Sequence, residues 1–139
     1  MRWCARTAQE LERVVESSAQ HAQALILLAN IELHDGRLES ARRLLEGALA
    51  VDPTRTAVHA GLAALALDEG RPRDALLELA HERRISGPGA DLDVVAGRAW
   101  QVLGDRHRAR AAYRDALRRD SSNTEARDSL ASMARADRG

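Results

Sequence analysis

Apolar residues recur along the chain at intervals of three and four, in short stretches separated by polar turns. Leu25, Leu28 and Ala29 precede Gly36, and Ala41, Leu44, Leu45, Ala48 and Leu49 follow it. Spacing of this kind gathers each set on one face of a helix instead of alternating across a strand, so the pattern predicts two amphipathic helices joined by a tight turn. The unit then repeats. Gly36, Gly70 and Gly104 lie 34 residues apart, as do Ala41, Ala75 and Ala109, and Leu45, Leu79 and Tyr113. A fixed period of this length predicts an array of helical hairpins, each able to bury its apolar stripe only against its neighbours.

Punctuation falls in step with the period. Asp52-Pro53 ends the second helix of the first hairpin, because proline cannot continue a helix and turns the residue before it away from helical angles. Gly87-Pro88-Gly89 ends the next one, while Pro72, just after Gly70, suits a first helical position. Thr7 to Glu10 and Ser122 to Glu125 read as capping boxes, opening a first helix of about residues 8–18 and a last helix running to about Ala136. The prediction is eight helices in one domain. An N-terminal half-repeat helix lies in residues 1–21, repeats span 22–55, 56–89 and 90–123, and a C-terminal capping helix occupies 124–139.

These residues resemble the tetratricopeptide repeat family. The first repeat carries Leu25, Leu28, Ala29, Gly36, Ala41, Leu45, Ala48 and Pro53 where the family places large, small, glycine and proline positions. The second departs from the pattern at His59, Glu82 and Gly87, and the third at Asp93 and Ser121. The resemblance covers residues 22–136 and implies an all-α, right-handed α-solenoid. Helices in such a stack cross closely where one partner is small, so Ala29, Ala63 and Gly97 are expected to face Ala41, Ala75 and Ala109.

Composition narrows the chemistry. All 21 basic residues are Arg, balanced by 21 acidic ones, so no overall field steers the chain toward nucleic acid or anionic lipid. The absence of Lys is associated with bacterial genomes rich in G and C. Single Cys4 offers neither an internal disulfide nor a cysteine-based zinc site, and with no secretory leader or membrane-spanning apolar run in view the expected location is cytoplasmic. Gly87-Pro88-Gly89 lacks the Lys and Ser or Thr of a phosphate loop, and His81-Glu82 is followed by Ile85 where a zinc helix needs a second His. No catalytic residue, metal or cofactor is expected. Arg106, Arg110 and Arg114 form a ridge on one helix, which reads as a solvated face because no aromatic side chains alternate with it to stack bases.

The resemblance also implies where a partner binds. In the family, the first helix of each pair lines a concave groove that receives a peptide or helix of another protein. Carried onto this chain, the groove positions give Ile26, Asn30, Leu33, Ala64, Leu67, Val94 and Arg98 as partner-binding residues, mostly apolar, with Asn30 hydrogen-bonding a partner backbone. One subclass clamps a C-terminal carboxylate. The corresponding positions here are Ile26, Asn30, Gly61, Asp91 and Val95, of which Asn30 alone agrees. The resulting expectation is a non-enzymatic, adaptor, scaffold or co-chaperone-like module. Two alternatives are an accessory subunit of a separately encoded enzyme and a self-associating module. Self-association would give a homodimer through the N-terminal helix, whose outer side would otherwise fall to Trp3 to cover.

Overall fold

The computed structural model describes residues 2–139, and the side chains of residues 2–8, 11 and 15 lie outside that description. The expectation placed on Trp3 therefore falls outside the described side chains. Among the described residues, seven α-helices follow one another: α1 (Arg2–His34), α2 (Leu38–Val51), α3 (Val58–Asp68), α4 (Pro72–Ser86), α5 (Ala90–Val102), α6 (Arg106–Arg119) and α7 (Thr124–Arg138). No strand occurs among the described residues. Helices α1 and α2, α3 and α4, and α5 and α6 pair as hairpins, and each hairpin packs on the next, with α7 closing against α6.

The three hairpin turns share one geometry. Gly36, Gly70 and Gly104 all adopt positive φ, near +77°, +74° and +81°, the left-handed conformation that costs glycine nothing. The amide that follows each one reaches back to a helical carbonyl five residues earlier: Arg37 to Glu32, Arg71 to Ala66 and Asp105 to Trp100, at 2.7–2.9 Å. This is the glycine-terminated helix end in which the freed carbonyls find donors. Elsewhere Asp52 is extended ahead of Pro53, Gly87 closes α4 and Pro72 opens α4.

Two sequence expectations are corrected. The helix expected at about 8–18 and the first helix of the first hairpin are one, since α1 runs unbroken for 33 residues. Ser17, Ser18, Ala19, Gln20 and His21 include neither Gly nor Pro, so nothing stops propagation, and Thr7 does not open the helix. At the other end, Asn123 and not Ser122 caps α7, its side-chain oxygen accepting from the Ala126 amide at 2.9 Å.

The core is a line of small clusters along the stack. Ile26, Ala48 and Val58 form one; Ala29, Leu45 and Leu65 a second; Ala63, Ala75, Leu79, Leu92 and Ala96 are among a third; Val94, Ala109, Tyr113, Ala116, Ala126 and Met133 form a fourth. The close crossing at Gly97 is present, and the side-chain atoms nearest to it belong to Tyr113. A Cβ on Gly97 would stand 2.6 Å from Tyr113 Cε1, so the glycine makes room for the ring.

Off-pattern residues join neighbouring elements. Buried Glu82 of α4 accepts from the amides of Ala57 (2.8 Å) and Ala60 (3.4 Å), satisfying orphan donors at the start of α3. Buried Asp93 of α5 accepts from Arg83 of α4 at 2.9 Å and from Arg119 of α6 at 2.8 Å. Three helices are tied through one carboxylate.

Candidate partner-binding groove

Helices α1, α3 and α5 lie side by side as the first members of their hairpins, with direct contacts from α1 to α3 and from α3 to α5. Asn30 is exposed on α1, and Leu33 is half-buried above the cluster of Ala29, Leu45 and Leu65. On α3, Ala64 and Leu67 are half-buried, and Leu67 leans on the cluster around Ala63 and Leu79. Arg98 of α5 is exposed, its Nε 3.9 Å from a carboxylate oxygen of Glu125 on α7.

Two of the expected groove residues are not available to a partner. Ile26 is 2% exposed and Val94 5%, each locked into a core cluster, with Ala48 and Val58 in one case and Ala109, Tyr113 and Ala116 in the other. The cause is the small side chain opposite. Alanine on the facing helix lets the pair approach, and the branched residue is drawn into the interior instead of standing in the groove.

Helix α7 adds a polar end to this surface. An open cavity of about 500 Å³ is lined by Gln101 of α5 and by Thr124, Glu125, Asp128, Ser129 and Ser132 of α7. Beneath it, the buried Tyr113 hydroxyl donates to Gln101 Oε1. Burial raises the phenol pKa above its usual value, so this hydroxyl remains a neutral donor at physiological pH. The signal for these residues was in the sequence: Glu125, Asp128 and Ser132 sit one 34-residue step beyond Asp91, Val94 and Arg98.

Two arginines of the α6 ridge and His59 are engaged structurally. Of the Arg ridge on α6, Arg106 and Arg110 both bond Asp137 of α7, and Arg106 also donates to the Met133 carbonyl at 3.3 Å. His59 Nδ1 lies 2.7 Å from Glu78 Oε2, which accounts for a polar residue at a position expected to be apolar. Among the described residues, no group of three or more His, Cys, Asp or Glu side chains converges as a metal site requires, and no helix is long and apolar enough to cross a membrane.

The paired-helix geometry has counterparts of known family. The tetratricopeptide repeat model matches residues 5–65 and again residues 32–81, which together span more than half of the chain. The chain belongs to the tetratricopeptide repeat family. No curated protein matches it in sequence. Among solved structures, the first tetratricopeptide domain of Spaghetti (RPAP3) bound to the HSP90 peptide SRMEEVD is similar at 17% identity and a TM-score of 0.75, over 87% of this chain and 96% of that one. The Arabidopsis OM64 tetratricopeptide domain aligns at 15% identity and 0.77, over 85% and 98%. The first such domain of human RPAP3 aligns at 17% and 0.77, over 85% and 93%. At these identities the likeness establishes the fold, an α-solenoid of tetratricopeptide hairpins whose general use is protein–protein interaction.

Proposed function

We propose that this tetratricopeptide chain is a non-catalytic, cytoplasmic interaction module whose concave groove takes an extended or helical segment of a partner protein. The observation that carries this reading is the open, mainly apolar strip of Leu33, Ala64 and Leu67, with Asn30 and Arg98 exposed on the same row of first helices. Unpaired backbone on a bound segment would find a donor and acceptor in Asn30, while the apolar strip would give the contact area. The Spaghetti domain is seen with an acidic peptide. Here the basic clamp positions are Ile26, Asp91 and Val95, and Glu125 and Asp128 stand at the groove's far end. These features favour an apolar segment that is neutral or basic over an acidic C-terminus.

Selection from a displayed peptide library, followed by calorimetry of the enriched peptides, tests the reading. The expected result is enrichment of apolar, Arg- or Lys-bearing segments, no binding of SRMEEVD, and at least tenfold weaker binding by Leu33→Glu and Leu67→Glu with unchanged circular dichroism. Binding by both variants equal to wild type, or preference for SRMEEVD, would overturn it.

A further inference from the structure

The face of α1 that carries Ala24, Leu28 and Ile31 is open: Leu28 is 50% and Ile31 55% exposed. The same three positions, stepped along by 34 residues, are covered everywhere else. Val58, Leu62 and Leu65 of α3 lie against Leu45 and Ala48 of α2. Leu92 and Ala96 of α5 lie against Ala75 and Leu79 of α4, and Ala126, Leu130 and Met133 of α7 against Tyr113 and Ala116 of α6. Each cover is the second helix of the preceding hairpin. Among the described residues, no antiparallel helix of that kind covers this face of α1.

The chain carries a helix free to supply it. α2 has 14 residues against 33 in α1, so roughly 28 Å of α1, at about 1.5 Å per residue, extends past its hairpin partner. Every described side chain from Gln9 to Ser17 is exposed there, Val14 at 61%. A solitary helix of this length is only marginally stable in water and gains its order by packing.

We propose that two copies of the chain pair through α1, antiparallel, so that the overhang of each covers the open face of the other. Val14, Ser17, His21, Ala24, Leu28 and Ile31 alternate at intervals of three and four on one side of α1, the seven-residue repeat of a two-helix seam. A two-fold axis between residues 22 and 23 sets Val14 opposite Ile31, Ser17 opposite Leu28 and His21 opposite Ala24. Large side chains then meet small or branched ones in every layer. The same register brings exposed Arg13 across from Glu32, which already bonds Arg37, adding charge complementarity at the flank. The symmetric arrangement closes on itself, as an isologous interface must.

Sedimentation equilibrium of the full chain in the micromolar range should give twice the 15.2 kDa of one copy. Leu28→Glu with Ile31→Glu, at positions already exposed, should give a folded monomer that loses helicity only in the overhang, whereas Leu67→Glu in the groove should stay dimeric. In a Cys4→Ser background, Val14→Cys with Ile31→Cys should cross-link into a covalent dimer on oxidation. Val14→Cys alone should not, because the two copies of that position lie roughly 25 Å apart along the paired helices, beyond the reach of a disulfide. A wild-type monomer, a dimer surviving both glutamates, or equal cross-linking by Val14→Cys alone would overturn the proposal.

Discussion

Tyr113 and Gly97 are matched within the repeat. The first two repeats pair Ala29 with Leu45 and Ala63 with Leu79 at these positions, while the third sets a glycine against the larger aromatic ring. The Cβ that alanine would add at Gly97 meets three atoms of the Tyr113 ring at 2.6–2.9 Å, and a rigid, fully buried ring has no room to withdraw. Gly97→Ala is therefore expected to lose about 1–3 kcal/mol, the usual cost of overpacking. Gly47, in the middle of α2, is the opposite case: its Cβ would meet only Leu25 Cδ1, at 3.6 Å. Alanine there removes backbone freedom from the unfolded chain at no steric cost, and a gain of about 0.5–1 kcal/mol is expected. Urea midpoints of the two variants check both signs. The period in the sequence marks Gly97 as a small position but says nothing of which facing atom demands it. That needs the ring's placement.

At the scale of the element, the 34-residue step made the hairpins, their glycine turns and the proline boundaries legible before any coordinates, because each rests on local backbone chemistry that the residue type itself dictates. Two kinds of information were not local. Whether α1 breaks near residue 20 depends on propagation through a stretch without a stop signal. Which groove residues stay open depends on the facing helix, and this removed Ile26 and Val94 while leaving Asn30, Leu33, Ala64, Leu67 and Arg98 accessible or half-buried. Asp93 shows how a departure from the repeat is absorbed. Its carboxylate is buried, yet Arg83 and Arg119 both reach it with side chains that remain more than two-fifths exposed. Asp93→Ala leaves a gap and frees both arginines into solvent, so the loss should be about 1–3 kcal/mol, below that of a fully buried pair. Asp93→Leu restores the large apolar residue of the first repeat and should recover most of that loss, since a packed hydrophobe replaces a buried ion pair at little net cost. Equal destabilisation by Ala and Leu in thermal unfolding would show the ion pairs, not the volume, to be what the position needs.

For the whole molecule, stability in a stack is carried by its interfaces, so a charge that bridges two hairpins affects more than its own turn. Glu69, in the α3–α4 turn, accepts from Arg42 of α2 at 2.6 Å and also from Arg71, at 2.6 Å. The hydrogen bond from Arg42 holds the Glu69 carboxyl below its ordinary value of 4.5, and Arg71 adds to the effect. In the first hairpin, Arg37 lowers Glu32 from 4.5 to about 2. A carboxylate whose folded pKa is depressed binds fewer protons in the folded state, so its stabilising contribution is complete above the unfolded value and disappears as pH falls through the folded one. The midpoint of unfolding should accordingly be flat near neutrality and fall from about pH 4.5 downward. Because Glu69 joins the first hairpin to the second, amide exchange in α2 should accelerate in this window along with that of the turn. Glu69→Gln should lower the midpoint at neutral pH and flatten its acid dependence, while raised salt should narrow the difference between variant and wild type, both charged partners being partly exposed. An acid profile unaltered by Glu69→Gln would place the acid-sensitive contact in the Glu32–Arg37 pair, and Glu32→Gln, measured the same way, would then take over the flattening.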